Sequence, residues 1–154
     1  MFAIDHLPPS AVDTTALERS PLRRYLDAGG KVVWPGVPPL LFVRNPQTGD
    51  AGGLAALKWD APTRLLGVPH GAAMFDMRGV HATDAGQRWG LPSRWRSNWR
   101  IAPDSTITVL GRDELGLVTS WVRRYGGPEG TGFVRVPGDD PMVLYLAAEY
   151  RPGK

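Results

Sequence analysis

The stretch Ser20–Trp34, with the sequence SPLRRYLDAGGKVVW, decides the fold of this chain. A serine suits the position before a helix and a proline suits its first turn, so Ser20 and Pro21 predict a helix start. The apolar residues that follow recur at the spacing of one helix face. Gly29 and Gly30 then end the helix, because glycine readily adopts the left-handed backbone of helix ends; we expect a positive φ at one of them.

A buried strand follows the glycines. Lys31–Trp34 contains the apolar run VVW without alternation, which is typical of a parallel strand covered on both faces. Three later segments, Thr106–Leu110, Leu117–Arg124 and Gly132–Val136, predict strands that are close in sequence and therefore antiparallel. We predict a single α/β domain over residues 1–154, a three-layer sandwich with a parallel core sheet and late antiparallel hairpin strands.

Two further regions complete the predicted elements. Residues 69–92 hold many glycines and little regular pattern, so they predict irregular structure. Asp139 and Asp140 before Pro141 predict the start of a last helix. Its apolar side is expected to consist of Met142, Leu144, Tyr145, Leu146 and Tyr150.

The composition is that of a globular protein, with 42% hydrophobic and 21% charged residues in a chain long enough to bury a core. The absence of cysteine excludes a disulfide, a thiol nucleophile and a cysteine-ligated metal. The net charge of +3 is too small to indicate a polyanionic partner. No apolar run approaches the roughly 18 residues of a membrane helix, and the printed sequence shows no secretory signal pattern.

The beginning of the chain has the pattern of a strand end. Phe2–Ile4 is apolar and is followed at once by a polar, proline-rich turn. Two interpretations stay open. Residues 1–154 are the C-terminal part of a longer domain, or Phe2–Ile4 is a short strand at a sheet edge.

Two segments resemble the class I glutamine amidotransferase-like superfamily. Tyr25–Trp34 is similar to its unit of helix, Gly-Gly and hydrophobic strand. Trp121–Gly127 with Gly130–Val136 resembles a late hairpin of domains attached to sugar-acting enzymes. The resemblance implies a flavodoxin-like core and a carbohydrate-related context. The enzymes of this superfamily use a cysteine nucleophile at a strand-helix elbow, with a later histidine and glutamate. This chain has no cysteine, no Gly-x-Ser-x-Gly elbow and no histidine after His81, so the resemblance implies a non-catalytic relative.

A candidate ligand site lies at the ends of two predicted strands, since open α/β sheets bind ligands at the C-terminal ends of their strands. Asp5 and His6 follow Phe2–Ile4, and Trp34 ends the strand after the glycines. If these strands are neighbours, Asp5 and His6 form an oriented base and Trp34 a stacking surface. The simpler interpretation, which we favour, is a capping aspartate, an exposed histidine and a packed tryptophan.

Two other polar groups can be compared with known site chemistry. His70, Asp76 and His81 are spaced six and five residues apart, which fits no zinc motif, so we predict no metal site. Residues 112–114, Arg-Asp-Glu, are interpreted as a charged turn between two strands without a catalytic role.

The segment Arg88–Arg100 contains four arginines, three tryptophans and no acid. Interleaved arginine and aromatic residues can bind single-stranded nucleic acid. The alternation of the residue types instead favours a strand with a buried tryptophan face and a solvated arginine face. We expect Trp95 and Trp99 to be buried, with Arg94, Arg96, Asn98 and Arg100 in solvent.

These observations predict a non-catalytic structural or ligand-binding domain from a carbohydrate-related multidomain protein. Its expected partner is a small molecule or another domain, without nucleic acid, membrane or cofactor. Two alternatives remain: a hydrolase of the same superfamily whose nucleophile is missing or upstream, and a nucleic-acid binder that uses residues 88–100.

Overall fold

The computed structural model describes residues 7–35, 42–44, 54–56, 60–69, 71–138 and 140–153, with only the backbone for 42–44, 54–56 and 71–76. Short 3-10 helices at Pro9–Ala11 and Leu17–Arg19 precede the longer elements. In chain order these are α1 (Pro21–Asp27), β1 (Lys31–Pro35), β2 (Phe42–Arg44), β3 (Leu54–Ala56), α2 (Ala61–Leu66), β4 (Gly71–Ala82), α3 (Asp84–Arg88), β5 (Arg94–Ile101), β6 (Ile107–Asp113), β7 (Val118–Arg123), β8 (Gly132–Val136) and α4 (Pro141–Glu149).

Six of the described strands form one mixed sheet in the order β1-β8-β7-β5-β4-β6, and β2 pairs with β3 in a separate hairpin. Strand β6 also pairs with β7, so β4, β5, β6 and β7 close into a small antiparallel ring. The β5–β7 side of the ring has one register pair, Ile101 with Val118. Strands β8 and β1 extend the sheet outward from β7.

The predicted parallel core sheet between two helical layers is wrong. Within the described sheet only β1 and β8 run parallel, with Lys31 opposite Gly132, and the other pairs are antiparallel. The prediction fails mainly in the region 69–92, for which the sequence predicts irregular structure. Strand β4 runs there for 12 residues and pairs with both β5 and β6. Strands so close in sequence pair antiparallel because short turns suffice to connect them. The antiparallel pairing predicted for β6, β7 and β8 is confirmed.

Two apolar cores are built around this sheet. One packs Leu26 of α1 and Leu65 of α2 with Phe133 of β8. The other packs Val143 of α4 with Val134, the neighbour of Phe133 along β8. Because neighbouring residues of a strand point to opposite faces, helices α1 and α2 cover one face of β8 and α4 covers the other.

The start of α4 is confirmed, but its predicted apolar side is only partly right: Leu144 and Tyr150 pack half-buried against the core, whereas the other three predicted residues are exposed. The Asp140 carboxylate accepts a hydrogen bond of 2.8 Å from the backbone nitrogen of Met142, as expected of a helix cap. The buried residues of α4 are Val143 and Ala147, one turn apart. Their small side chains face the sheet, and this leaves Met142, Tyr145 and Leu146 exposed.

The two glycines after α1 differ in backbone conformation and in their neighbours. Gly29 has a φ of 84°, which confirms the expected left-handed helix end. A side chain on Gly30 would overlap the Tyr25 ring. That ring lies there because the Tyr25 hydroxyl is 3.3 Å from both the backbone nitrogen and the carbonyl oxygen of Lys31. The glycine pair therefore lets the chain turn sharply from helix to strand.

Replacing Gly29 with valine should lower the free energy of unfolding by at least about 1 kcal/mol, because a β-branched side chain is strained at positive φ. Chemical denaturation of the purified variant measures this loss. Ala28→Val is the matched control, since Ala28 is exposed and has an ordinary φ of −77°. Equal stability of Gly29→Val and the unmodified protein would contradict the assigned role.

Candidate functional site

The predicted strand-end site is only partly described. Asp5 and His6 lie outside the described residues. Trp34 is buried in β1, where its ring stacks on Phe133 at 6.2 Å between centroids, and Phe133 in turn stacks on Trp121 at 5.6 Å. Trp34 is thus one end of a packed aromatic row. Its pairing with Asp5 and His6 stays a prediction.

A buried cation lies beside Trp34, and the sequence pattern did not single it out. Arg135 is opposite Trp34 in the parallel register and opposite Trp121 on its other side. Its guanidinium donates to the carbonyl of Thr119, and burial lowers its pKa to about 10. One feature of the sequence indicates a buried arginine here: Arg135 lies within the otherwise apolar segment FVRV.

The Arg/Trp segment forms β5 together with the turn before it. Trp99 is buried and Arg94 and Arg96 are exposed, as predicted. Trp95 and Asn98 are both half-buried, so the predicted burial of Trp95 and the predicted exposure of Asn98 are only partly right. With Trp99 in the interior, this strand does not present the row of open aromatic rings on which nucleic-acid bases stack.

The placement of Arg100 in solvent is wrong. Its side chain is 1% exposed, and its Nε atom lies 2.6 Å from the Oδ2 atom of Asp113. Alternation holds as far as Trp99, since Ser97 and Trp99 are buried and Arg96 is exposed. It fails at Arg100, which follows Trp99 directly and is buried as well, so both faces of β5 are covered at this end. A two-residue period predicts a solvated face only where one face of the strand is open.

Asp113 is a structural residue rather than part of an open charged turn. Its Oδ1 atom accepts hydrogen bonds of 2.9 Å from the backbone nitrogens of Leu115 and Leu117. Its other oxygen faces Arg100. The carboxylate therefore stabilises the β6–β7 turn and the end of β5 together.

A cleft of about 390 Å³ lies between the turn after α3 and the end of α4. The rings of Trp89 and Tyr150 stack in its wall, with centroids 4.2 Å apart and planes inclined by 25°. Charged side chains also line it: Arg88, Glu149 and Arg151, all exposed. We call this site the Trp89 cleft. The sequence pattern had marked two of these residues, but only as members of the segment 88–100.

Lys31 contacts two residues of the cleft wall, Trp89 and Tyr150, without lining the cleft itself. Its Nζ atom donates to the carbonyls of Ala148 at 2.8 Å and Tyr150 at 3.3 Å, and it lies 4.9 Å from the Trp89 ring centroid. Burial and the positive charge of Arg151 lower the pKa of Lys31 to about 8, against a smaller opposite effect of Glu149. The lysine fixes the end of α4 against β1 and adds positive charge near the cleft.

Neither a metal cluster nor a membrane helix is found in the described ranges. No three histidine, aspartate or glutamate side chains among the described residues converge on a point. His81 is exposed, while His70 and the Asp76 side chain are not described. No helix in the same ranges combines the length and apolar content needed to cross a membrane.

No protein-family model matches the chain, and no curated protein does either. The resemblance to the amidotransferase-like superfamily therefore stays a hypothesis drawn from the quoted residues.

Two substitutions in β5 test which of its faces is buried and which is exposed. Trp99→Ala should lower the free energy of unfolding by about 3–5 kcal/mol, because it removes a large side chain from the interior. Arg96→Ala should change it by no more than about 0.5 kcal/mol. Both values come from chemical denaturation. Similar small effects of the two variants would show that Trp99 is not a core residue.

The depressed pKa of Lys31 predicts how stability depends on pH. Below about pH 8 the lysine is charged in both the folded and the unfolded states. Between about 8 and 10.5 the unfolded chain binds the proton more tightly, so the free energy of unfolding rises with pH. Compared with Lys31→Met, which keeps the aliphatic chain, the unmodified protein should gain stability over this range. A constant difference between the two proteins would contradict the shift.

Proposed function

We propose that this chain is a non-catalytic ligand-binding domain and that its ligand occupies the Trp89 cleft. The observation that carries the proposal is the stacked pair of Trp89 and Tyr150, flanked by Arg88 and Arg151. A volume of about 390 Å³ is in the range of small-molecule sites. An apolar wall with a few charged groups at its rim is the usual composition of such sites.

The chemistry of the cleft favours a carbohydrate that bears a carboxylate. The half-buried Tyr150 ring, with Trp89 buried against it, offers apolar surface to the C–H groups of a sugar ring. Arginine is suited to carboxylates, since its planar guanidinium can donate two parallel hydrogen bonds. Glu149 can accept hydrogen bonds from sugar hydroxyls. A sugar acid also agrees with the carbohydrate-related context implied by the resemblance.

The residues that line the cleft do not form a hydrolytic centre. Hydrolysis requires a nucleophile beside a base, or two carboxylates across the bond that is cleaved. Among the described lining residues Glu149 is the one carboxylate, and no serine, threonine or histidine accompanies it. This composition supports binding without catalysis.

Titration with glucuronate and with glucose tests the proposed ligand class. Glucuronate should shift the indole NMR signal of Trp89, which is assigned from a Trp89→Phe variant, and should bind about tenfold or more tightly than glucose. Arg88→Gln should weaken glucuronate binding. Arg94→Gln is the matched control, because Arg94 is an exposed arginine that does not line the cleft. Equal binding of the two sugars, equal effects of the two variants, or no binding would refute the proposal.

The pure protein should hydrolyse neither glutamine nor p-nitrophenyl esters, since it lacks a cysteine nucleophile. Ammonia release and nitrophenolate absorbance measure the two reactions. His6→Ala is the informative variant. Hydrolysis that this substitution abolishes would favour the alternative that the chain is a hydrolase.

A further inference from the structure

Helix α4 is apolar on almost every side. Its sequence is PMVLYLAAE, so Glu149 is its one charged residue. Only Val143 and Ala147 are buried against the rest of the described structure. The side chains of Met142, Tyr145 and Leu146 are 57%, 61% and 41% exposed. Their spacing of three and four residues places them on one outer face.

This outer face differs from the remaining apolar surface of the described residues. The other large exposed apolar residues, Tyr25, Met77 and Leu115, are each on a different element or turn. Single exposed apolar residues are normal on protein surfaces, but a contiguous apolar face marks an interaction site. A helix that is hydrophobic all round is usually covered all round.

We propose that the outer face of α4 binds the same face of a second copy of this chain, with the two helices antiparallel across a two-fold axis. The argument is charge complementarity at the helix ends. Asp140 lies before the first turn and Arg151 just after the last, and both are exposed. An antiparallel pair brings each Asp140 next to the partner's Arg151, and the opposite ends of the two helix dipoles also meet.

The position of Tyr145 fits this symmetry. It is the middle residue of Pro141–Glu149, so in an antiparallel pair it lies at the two-fold axis and meets its own copy. Tyrosine at the centre of an interface commonly carries a large share of the binding energy.

A groove beside α4 provides further contact area. A stable dimer buries roughly 1,200 Å² or more in total, which is more than a helix of 9 residues offers. The groove has a volume of about 320 Å³ and lies between α4 and β1. It is lined by Lys31, Val33, Pro35, Leu144 and Ala148. Side chains from the outer face of the partner's α4 can enter it, as ridges of one helix pack into grooves of its neighbour.

The oligomeric state in solution tests the interface. Sedimentation of the full chain over a range of concentrations should show a monomer–dimer equilibrium. Tyr145→Glu should raise the dimer dissociation constant at least about thirtyfold, because it places two carboxylates against each other. Leu115→Glu is the matched control, since Leu115 is equally exposed but lies in the β6–β7 turn, away from α4.

A double-mutant cycle tests the antiparallel arrangement. Asp140→Ser removes the charge but keeps a residue that can cap the helix, and Arg151→Gln removes the opposite charge. Each should weaken the dimer, and the two together should weaken it by less than the product of the single effects. Independent effects on the dissociation constant would refute the pairing of the helix ends.

Because the chain contains no cysteine, a single introduced thiol gives an independent test. Tyr145→Cys should form an intermolecular disulfide under mild oxidation, whereas Leu115→Cys should not. Three results would overturn the proposal: a folded monomer at all concentrations, a dimer that tolerates Tyr145→Glu, or Tyr145 shielded from chemical nitration in the monomer. The last result would mean that another part of the same chain covers α4. Leu146 and Arg151 also line the Trp89 cleft, so the dimer is measured without added sugar and the decisive variant is at Tyr145, which does not line the cleft.

Discussion

The buried ion pair between Arg100 and Asp113 is the contact on which closure of the β4–β7 ring depends. Strands β5 and β7 share only one register pair, Ile101 with Val118, so backbone hydrogen bonds alone join them weakly. The ion pair ties the end of β5 to the end of β6, and the same carboxylate holds the turn that leads into β7. Replacing either residue alone would leave the other charge buried without its partner, which costs about 3–5 kcal/mol. Both residues are therefore required at this junction of the ring.

The elements that the sequence predicts well are those whose signals are local. The Ser20-Pro21 start and the Gly29 stop bound α1, and Asp140 begins α4. The hairpin strands β6, β7 and β8 follow from short turns and β-branched residues. Strand β4 has no such signal, because its glycine-rich sequence becomes a strand only by pairing with β5 and β6. The parallel core was predicted from one strand, β1, which does pair in parallel, but with β8, while the other described pairs of the sheet are antiparallel.

In the candidate sites, too, the sequence does not predict side-chain positions that depend on contacts between distant elements. An alternating pattern predicts the buried Trp99, but it cannot show that the opposite face of β5 is also covered at Arg100. The apolar residues of α4 are evident in the sequence, yet which of them face the sheet depends on how closely Val143 and Ala147 approach it. Tyr150 could not be assigned to a cleft, because its neighbour Trp89 is more than sixty residues earlier in the chain.

Lys31 links the two proposed surfaces. Its ammonium binds the last carbonyls of α4, and this single group positions the helix against β1 and lies over Trp89. Lys31 therefore contributes to the position of both the groove beside β1 and the Trp89 cleft. The positive charge of Arg151 disfavours the charged form of Lys31. An anionic group placed at Arg151 would offset this repulsion and raise the pKa of Lys31 towards its ordinary value. The hydrogen bonds from Lys31 to the end of α4 do not require that charge, because a neutral amine also donates to the carbonyls of Ala148 and Tyr150.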